Sequence, residues 1–61
     1  MIRFKANEGG GWVVFVNGHA LGLVVREGKD WAVKANGEWW LFSFPTRKAA
    51  ATSLKHSNTF L

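Results

Sequence analysis

Apolar positions recur with two different periods along this chain of 61 residues, and the change from one to the other falls at Pro45. Upstream, the pattern is that of strands. Residues 12–16 are a run of tryptophan, valine and phenylalanine closed by Asn17-Gly18, the dipeptide that a two-residue hairpin turn favours. Residues 19–26 continue as a second strand, in which Gly22 marks a bulge or a point of close packing. Glu27-Gly28-Lys29-Asp30 reads as the next turn, 31–35 as a third strand, Asn36-Gly37 as a third turn and 38–44 as a fourth strand. Connections this short join antiparallel neighbours, because parallel ones need long crossovers, so 12–44 is expected to form a β-meander. Ile2, Phe4 and Ala6 alternate with Arg3 and Lys5, which offers a fifth strand over 2–6, at an edge where charge discourages pairing with other chains. Gly9-Gly10-Gly11, between the two, reads as a flexible hinge.

Downstream of Pro45 the spacing becomes helical. Proline cannot continue a ladder and holds Phe44 extended, so the last strand stops there. Thr46 is then placed as N-cap of a helix over 47–57, and Ala50, Ala51 and Leu54 fall on one face, small enough to let the helix approach a sheet closely. Asn58 is placed to end it in a left-handed conformation, leaving 58–61 as a tail. The expected fold is α+β: a four-stranded antiparallel meander, five-stranded if 2–6 joins, with one C-terminal helix packed on it.

One feature of the fourth strand does not suit a sheet covered on a single side. Trp39 and Leu41 share one parity while Trp40, Phe42 and Phe44 share the other, so large apolar groups point both ways. A single helix covers only one face. Either the sheet curls around one set, or an apolar patch remains for a partner or a second copy.

Composition narrows the possibilities. A chain this short is one domain near the lower limit for a core without staples, and it has no cysteine for a disulfide. Four tryptophans and five phenylalanines are therefore expected to supply the core. The absence of cysteine fits a cytoplasmic protein, 1–8 does not read as a signal peptide, and no stretch is apolar enough to span a membrane. The net charge is +4, divided as +1 over residues 1–30 (four basic, three acidic) and +3 over 31–61 (four basic, one acidic). The excess lies with the last strands and the helix.

Catalytic and metal chemistry find little support. There is no cysteine or tyrosine to serve as a nucleophile, Glu8, Glu27, Asp30 and Glu38 fall mainly in turns, and His19 and His56 have no further clustered ligands. The chain reads as non-enzymatic, with no cofactor and no metal. Arg47-Lys48 opens the helix with positive charge against the positive end of its dipole, which suits an anionic partner. Together with Lys34 and Lys55 this pair makes a candidate phosphate-contacting set; the competing reading is that all eight cations are solvated surface groups.

The stretch Trp31-Ala32-Val33, followed by Phe44-Pro45-Thr46-Arg47-Lys48-Ala49-Ala50-Ala51-Thr52-Ser53-Leu54, resembles small meander-plus-helix DNA-binding modules. In particular it resembles the N-terminal arm-site-binding domain of phage tyrosine-recombinase integrases, over roughly residues 12–57. The resemblance implies a sheet lying in the major groove, with Lys34 on the reading sheet and Arg47 and Lys48 near the phosphate backbone. The strands here are poor in the Arg, Lys, Gln and Asn that contact base edges, which implies weak sequence selectivity. Two functions from different classes follow. The first is a small accessory protein, phage-related, that binds duplex DNA through Lys34, Arg47, Lys48 and Lys55. The second is a protein-interaction module that homodimerises or docks on a partner through an exposed aromatic sheet face, with Trp39 or Trp40 as anchor.

Overall fold

The computed structural model describes residues 1–59, the side chains of Asn58 and Thr59 excepted. Five strands, β1 (Ile2–Ala6), β2 (Trp12–Val16), β3 (His19–Glu27), β4 (Asp30–Ala35) and β5 (Glu38–Trp39), form one antiparallel sheet in sequence order. A single helix, α1 (Arg47–Thr59), packs on one face, chiefly across β3 and β4. The expected α+β meander is the observed fold, in its five-stranded form.

The turns follow from residues that accept positive φ. Asn17 and Gly18 have φ of 52° and 83°, and Asn36 and Gly37 have 54° and 79°, as the type I′ hairpin requires at both central positions. The segment between β1 and β2 is not a free hinge. The Asn7 N–H donates to the Gly11 carbonyl (3.1 Å), the Gly10 N–H to the Asn7 carbonyl (3.0 Å) and the Asn7 side-chain amide to the Gly10 carbonyl (3.1 Å).

Gly22 carries both of the roles expected of it. On β2 the register passes from Val14↔Gly22 to Phe15↔Ala20, so Leu21 is the extra residue of a bulge on β3. Gly22 also lies beneath the helix, where a Cβ would sit 2.7 Å from the Lys34 carbonyl oxygen and 3.0 Å from Leu54 Cδ2. No larger residue fits there without shifting the β4 backbone at Lys34, and Leu54 with it.

The buried centre differs from the aromatic core that composition suggests. It consists of Val14, Val24 and Val33, one from each central strand, against Ala50, Ala51 and Leu54 of the helix. Around it, Phe4, Trp12, Trp31, Trp40 and Phe44 are only partly buried. The alanines let α1 lie close to the sheet, so that the valines and Leu54 fill the centre and the rings sit around it. At the start of α1 the Ala49 N–H donates to Thr46 Oγ1 (3.0 Å), which makes Thr46 the N-cap. The helix continues through Asn58, which is therefore not its left-handed terminus; of the expected 58–61 tail, residues 60–61 lie outside the described residues.

The last strand is shorter than the alternation suggests. Regular pairing joins Ala35↔Glu38 and Lys34↔Trp39, and the Trp40 N–H donates to the Val33 carbonyl (2.8 Å). The next bridge is Trp31↔Phe44, so four residue steps from Trp40 to Phe44 face two steps from Val33 to Trp31. The two surplus residues are extruded. Trp40 and Phe44 both stay packed against the core in consequence, while Leu41 is fully exposed (102%) and Phe42 is 59% exposed.

Two stability predictions follow from this packing. Replacing Gly22 with alanine forces a methyl group against backbone and Leu54, and is expected to lower the unfolding free energy by about 1–3 kcal/mol in urea titrations. Thr46→Ala removes the cap and is expected to cost about 1 kcal/mol, with Thr46→Ser retaining most of it.

Candidate docking surface

With α1 on one face, alternation fixes what the other presents. The core parity of β1 to β4 holds Phe4, Val14, Val24 and Val33, so Lys5, Val13, Leu23 and Lys34 point away from the helix. Register places these in one row across the sheet, Lys5↔Val13↔Leu23↔Lys34↔Trp39. Arg3↔Phe15 lies on one side of the row and Val25↔Ala32 on the other. The uncovered face is thus a field of Val13, Phe15, Leu23, Val25, Ala32 and Trp39. Of its charged groups, Arg3 and Lys5 lie on the edge strand β1, Lys34 on β4 stands between Leu23 and Trp39, and Glu27 and Asp30 are register partners at the hairpin end of the same face.

Trp39 is held rather than loose. It is 52% exposed, and Lys34 Nζ lies 5.5 Å from its ring centroid, a cation–π contact on the uncovered side. Trp40, its neighbour in sequence, points to the helix side. Its ring stands 5.6 Å from Phe42 and 6.2 Å from Phe44, and Phe42 and Phe44 meet edge to face at 5.4 Å. Of the two candidate anchors, only Trp39 belongs to the uncovered face.

The four cations singled out for phosphate are not brought onto one surface. Lys34 is on the uncovered face, with Trp39. Arg47 is half-buried at the start of α1, its guanidinium carbon 4.2 Å from the Phe4 ring centroid and 5.0 Å from that of Trp12. This accounts for a cation at a helix start with no acidic residue in its first turn: the ring faces of β1 and β2 offer it negative electrostatic potential. Lys48 and Lys55 are exposed on the helix. Arg3 and Lys5, which share Lys34's face, were legible as cations of an edge strand but not as part of a surface; the alternation over 2–6 carried that signal.

A second apolar feature adjoins the first. The extruded residues Leu41 and Phe42 form one wall of a groove of about 550 Å³ whose other wall is Ser53, His56 and Ser57 of α1, with Trp39 and Trp40 completing it. Among the described residues no group of three His, Cys, Asp or Glu side chains is placed to hold a metal ion, and no helix is long and apolar enough to cross a membrane. Comparison with protein-family models, with curated proteins and with solved structures finds no match to this chain.

The stacked position of Arg47 makes a prediction that separates packing from ligand contact. Arg47→Ala is expected to lower stability by about 0.5–2 kcal/mol in thermal unfolding, whereas Lys48→Ala should stay within about 0.5 kcal/mol.

Proposed function

We propose that this protein is a non-enzymatic protein-interaction module that docks a partner on the uncovered face of its sheet. The observation that carries this reading is the apolar field of Val13, Phe15, Leu23, Val25 and Ala32, with Trp39 beside it beyond Lys34, left open by the only helix among the described residues. Aliphatic side chains dominate it, and they offer a protein surface complementary packing but give a nucleic acid neither base-edge hydrogen bonds nor phosphate contacts. Trp39, rigid and half exposed, is the anchor. Arg3 and Lys5 at the β1 edge and Lys34 beside Trp39 select a partner that sets Asp or Glu against them and away from Glu27 and Asp30, since opposite charges steer encounter and like charges disfavour the wrong partner.

One observation favours duplex DNA instead. Arg3, Lys5 and Lys34 share the face that the resemblance to arm-site-binding domains would place in a groove. The two readings separate in one experiment. Selection of a displayed random-peptide library on the immobilised protein is expected to enrich sequences combining Leu, Ile or Phe with Asp or Glu. Their binding should be lost with Leu23→Glu and Trp39→Ala and kept with Lys48→Ala. Failure to select any peptide, or selected peptides indifferent to Leu23→Glu, would overturn the proposal. Binding of duplex DNA with a log–log salt slope of about −3, abolished by charge reversal at Lys5 and Lys34, would replace it with the nucleic-acid reading.

A further inference from the structure

We infer that the outer edge of β1 receives an extended segment of an acid-bearing partner protein as a sixth strand of the sheet. This rests on the interaction reading only for the acidic character of the partner, and it uses backbone groups that the sheet face does not. β1 is one of two outer strands. The other outer edge is interrupted: β5 pairs regularly at two residues, 41–43 leave the sheet, and Phe44 returns to bridge Trp31. β1 has no such break. All five of its residues keep register with β2, without a bulge or a proline, and nothing among the described residues pairs with its far side.

The hydrogen bonds that bracket β1 fix which of its backbone groups face outward. The Asn17 N–H donates to the Met1 carbonyl (3.5 Å) and the Asn7 N–H to the Gly11 carbonyl (3.1 Å), so residues 1 and 7 both bond inward. Bonded and non-bonded pairs alternate along an antiparallel ladder. Arg3 and Lys5 therefore bond to β2, and the N–H and C=O groups of Ile2, Phe4 and Ala6 point away from the sheet.

Side chains and charge then select the occupant. Ile2 and Phe4 stand half-buried on the helix side, whereas Arg3 and Lys5 are exposed on the uncovered side. β1 carries no carboxylate, and among the described residues neither cation has an ion-pair partner. A second copy is disfavoured, because two antiparallel β1 strands with Phe4 opposite Phe4 set Arg3 against Lys5 twice, and like charges directly opposite destabilise a sheet. A phosphate backbone is a poor occupant too, since its oxygens could accept from the N–H groups but would meet the carbonyls with like polarity. A strand satisfies both. The partner segment thus alternates Asp or Glu, against Arg3 and Lys5, with apolar residues, against Ile2 and Phe4.

Amide hydrogen exchange of the full chain, with and without an excess of a synthetic peptide alternating glutamate with valine, tests this. The Phe4 and Ala6 amides are expected to exchange about tenfold or more slowly in the complex, while those of Arg3 and Lys5, bonded to β2 in both states, change less. A peptide of the same composition with its glutamates and valines in separate blocks should bind about tenfold or more weakly. Ala6→Pro deletes an outward N–H without removing a bond to β2, and should weaken the alternating peptide to a similar extent, with Lys48→Ala leaving it unchanged. No binding of the alternating peptide, or binding that leaves the Phe4 and Ala6 amides unprotected, would overturn the inference. Edge and face fail separately. Protected edge amides in a complex indifferent to Leu23→Glu would uphold the edge and overturn the face, and unprotected edge amides in a complex lost with Leu23→Glu would do the reverse.

Discussion

The structure depends on how closely one helix approaches one sheet. Gly22 on β3 and the alanines of α1 remove the side chains that would hold the two apart, so that Leu54 packs directly over the glycine. From that distance the rest follows. Val14, Val24 and Val33 fill the centre between the layers, and the large rings take the perimeter, where they close the edges of a core that a chain of this size cannot otherwise seal. Arg47 extends this seal by lying over Phe4 and Trp12, and a charge that opposes the helix dipole is accommodated on ring faces.

A single short helix has a second consequence. It satisfies one face of a five-stranded sheet and leaves the other to its own side chains, which are largely apolar, with Arg3 and Lys5 at the β1 edge, Lys34 on β4 and Glu27 and Asp30 at the hairpin end. Water contact on that scale is tolerable because neighbouring side chains on a pleated face partly shield one another. It is also a standing opportunity for association, and the charges around it restrict which associations are favourable. The extruded Leu41 and Phe42 give a second surface with a different character, apolar and without formal charge among the described residues that line it. One sheet thus presents two differently coded patches at adjoining edges.

Much of the fold was legible because local rules and tertiary demands agree. The Asn-Gly turns, the start of the helix just after Pro45 and the Thr46 cap each depend on a few neighbouring residues, and each appears where the sequence places it. The conflict of parity at Trp39 and Trp40 left two outcomes open, a sheet curled around one set or an apolar patch, and Trp39 stands on the face that the helix does not cover. What was not legible depended on distances between layers. Composition points to an aromatic core, but the valine core results from the spacing set by Gly22 and the alanines. Arg47 resembles a ligand contact in sequence because its true neighbours, Phe4 and Trp12, lie far away along the chain. The break in β5 was hidden for a similar reason: residues 38–44 alternate well as a strand, and nothing in that alternation shows that Trp31 bridges Phe44 and not Phe42.

The central claim is that this sheet has one face built for stability and one kept for a partner. Val24 and Val25 test it most directly, being the same residue at adjacent positions of β3, fully buried under the helix and half-buried on the uncovered side respectively. Replacing each in turn with threonine introduces the same hydroxyl with nearly the same shape, and equilibrium urea unfolding at low protein concentration compares the two. The account predicts that Val24→Thr loses about 1–3 kcal/mol while Val25→Thr stays within about 0.5 kcal/mol. Equal losses at the two positions would contradict it, because the second face would then be serving the fold as a core.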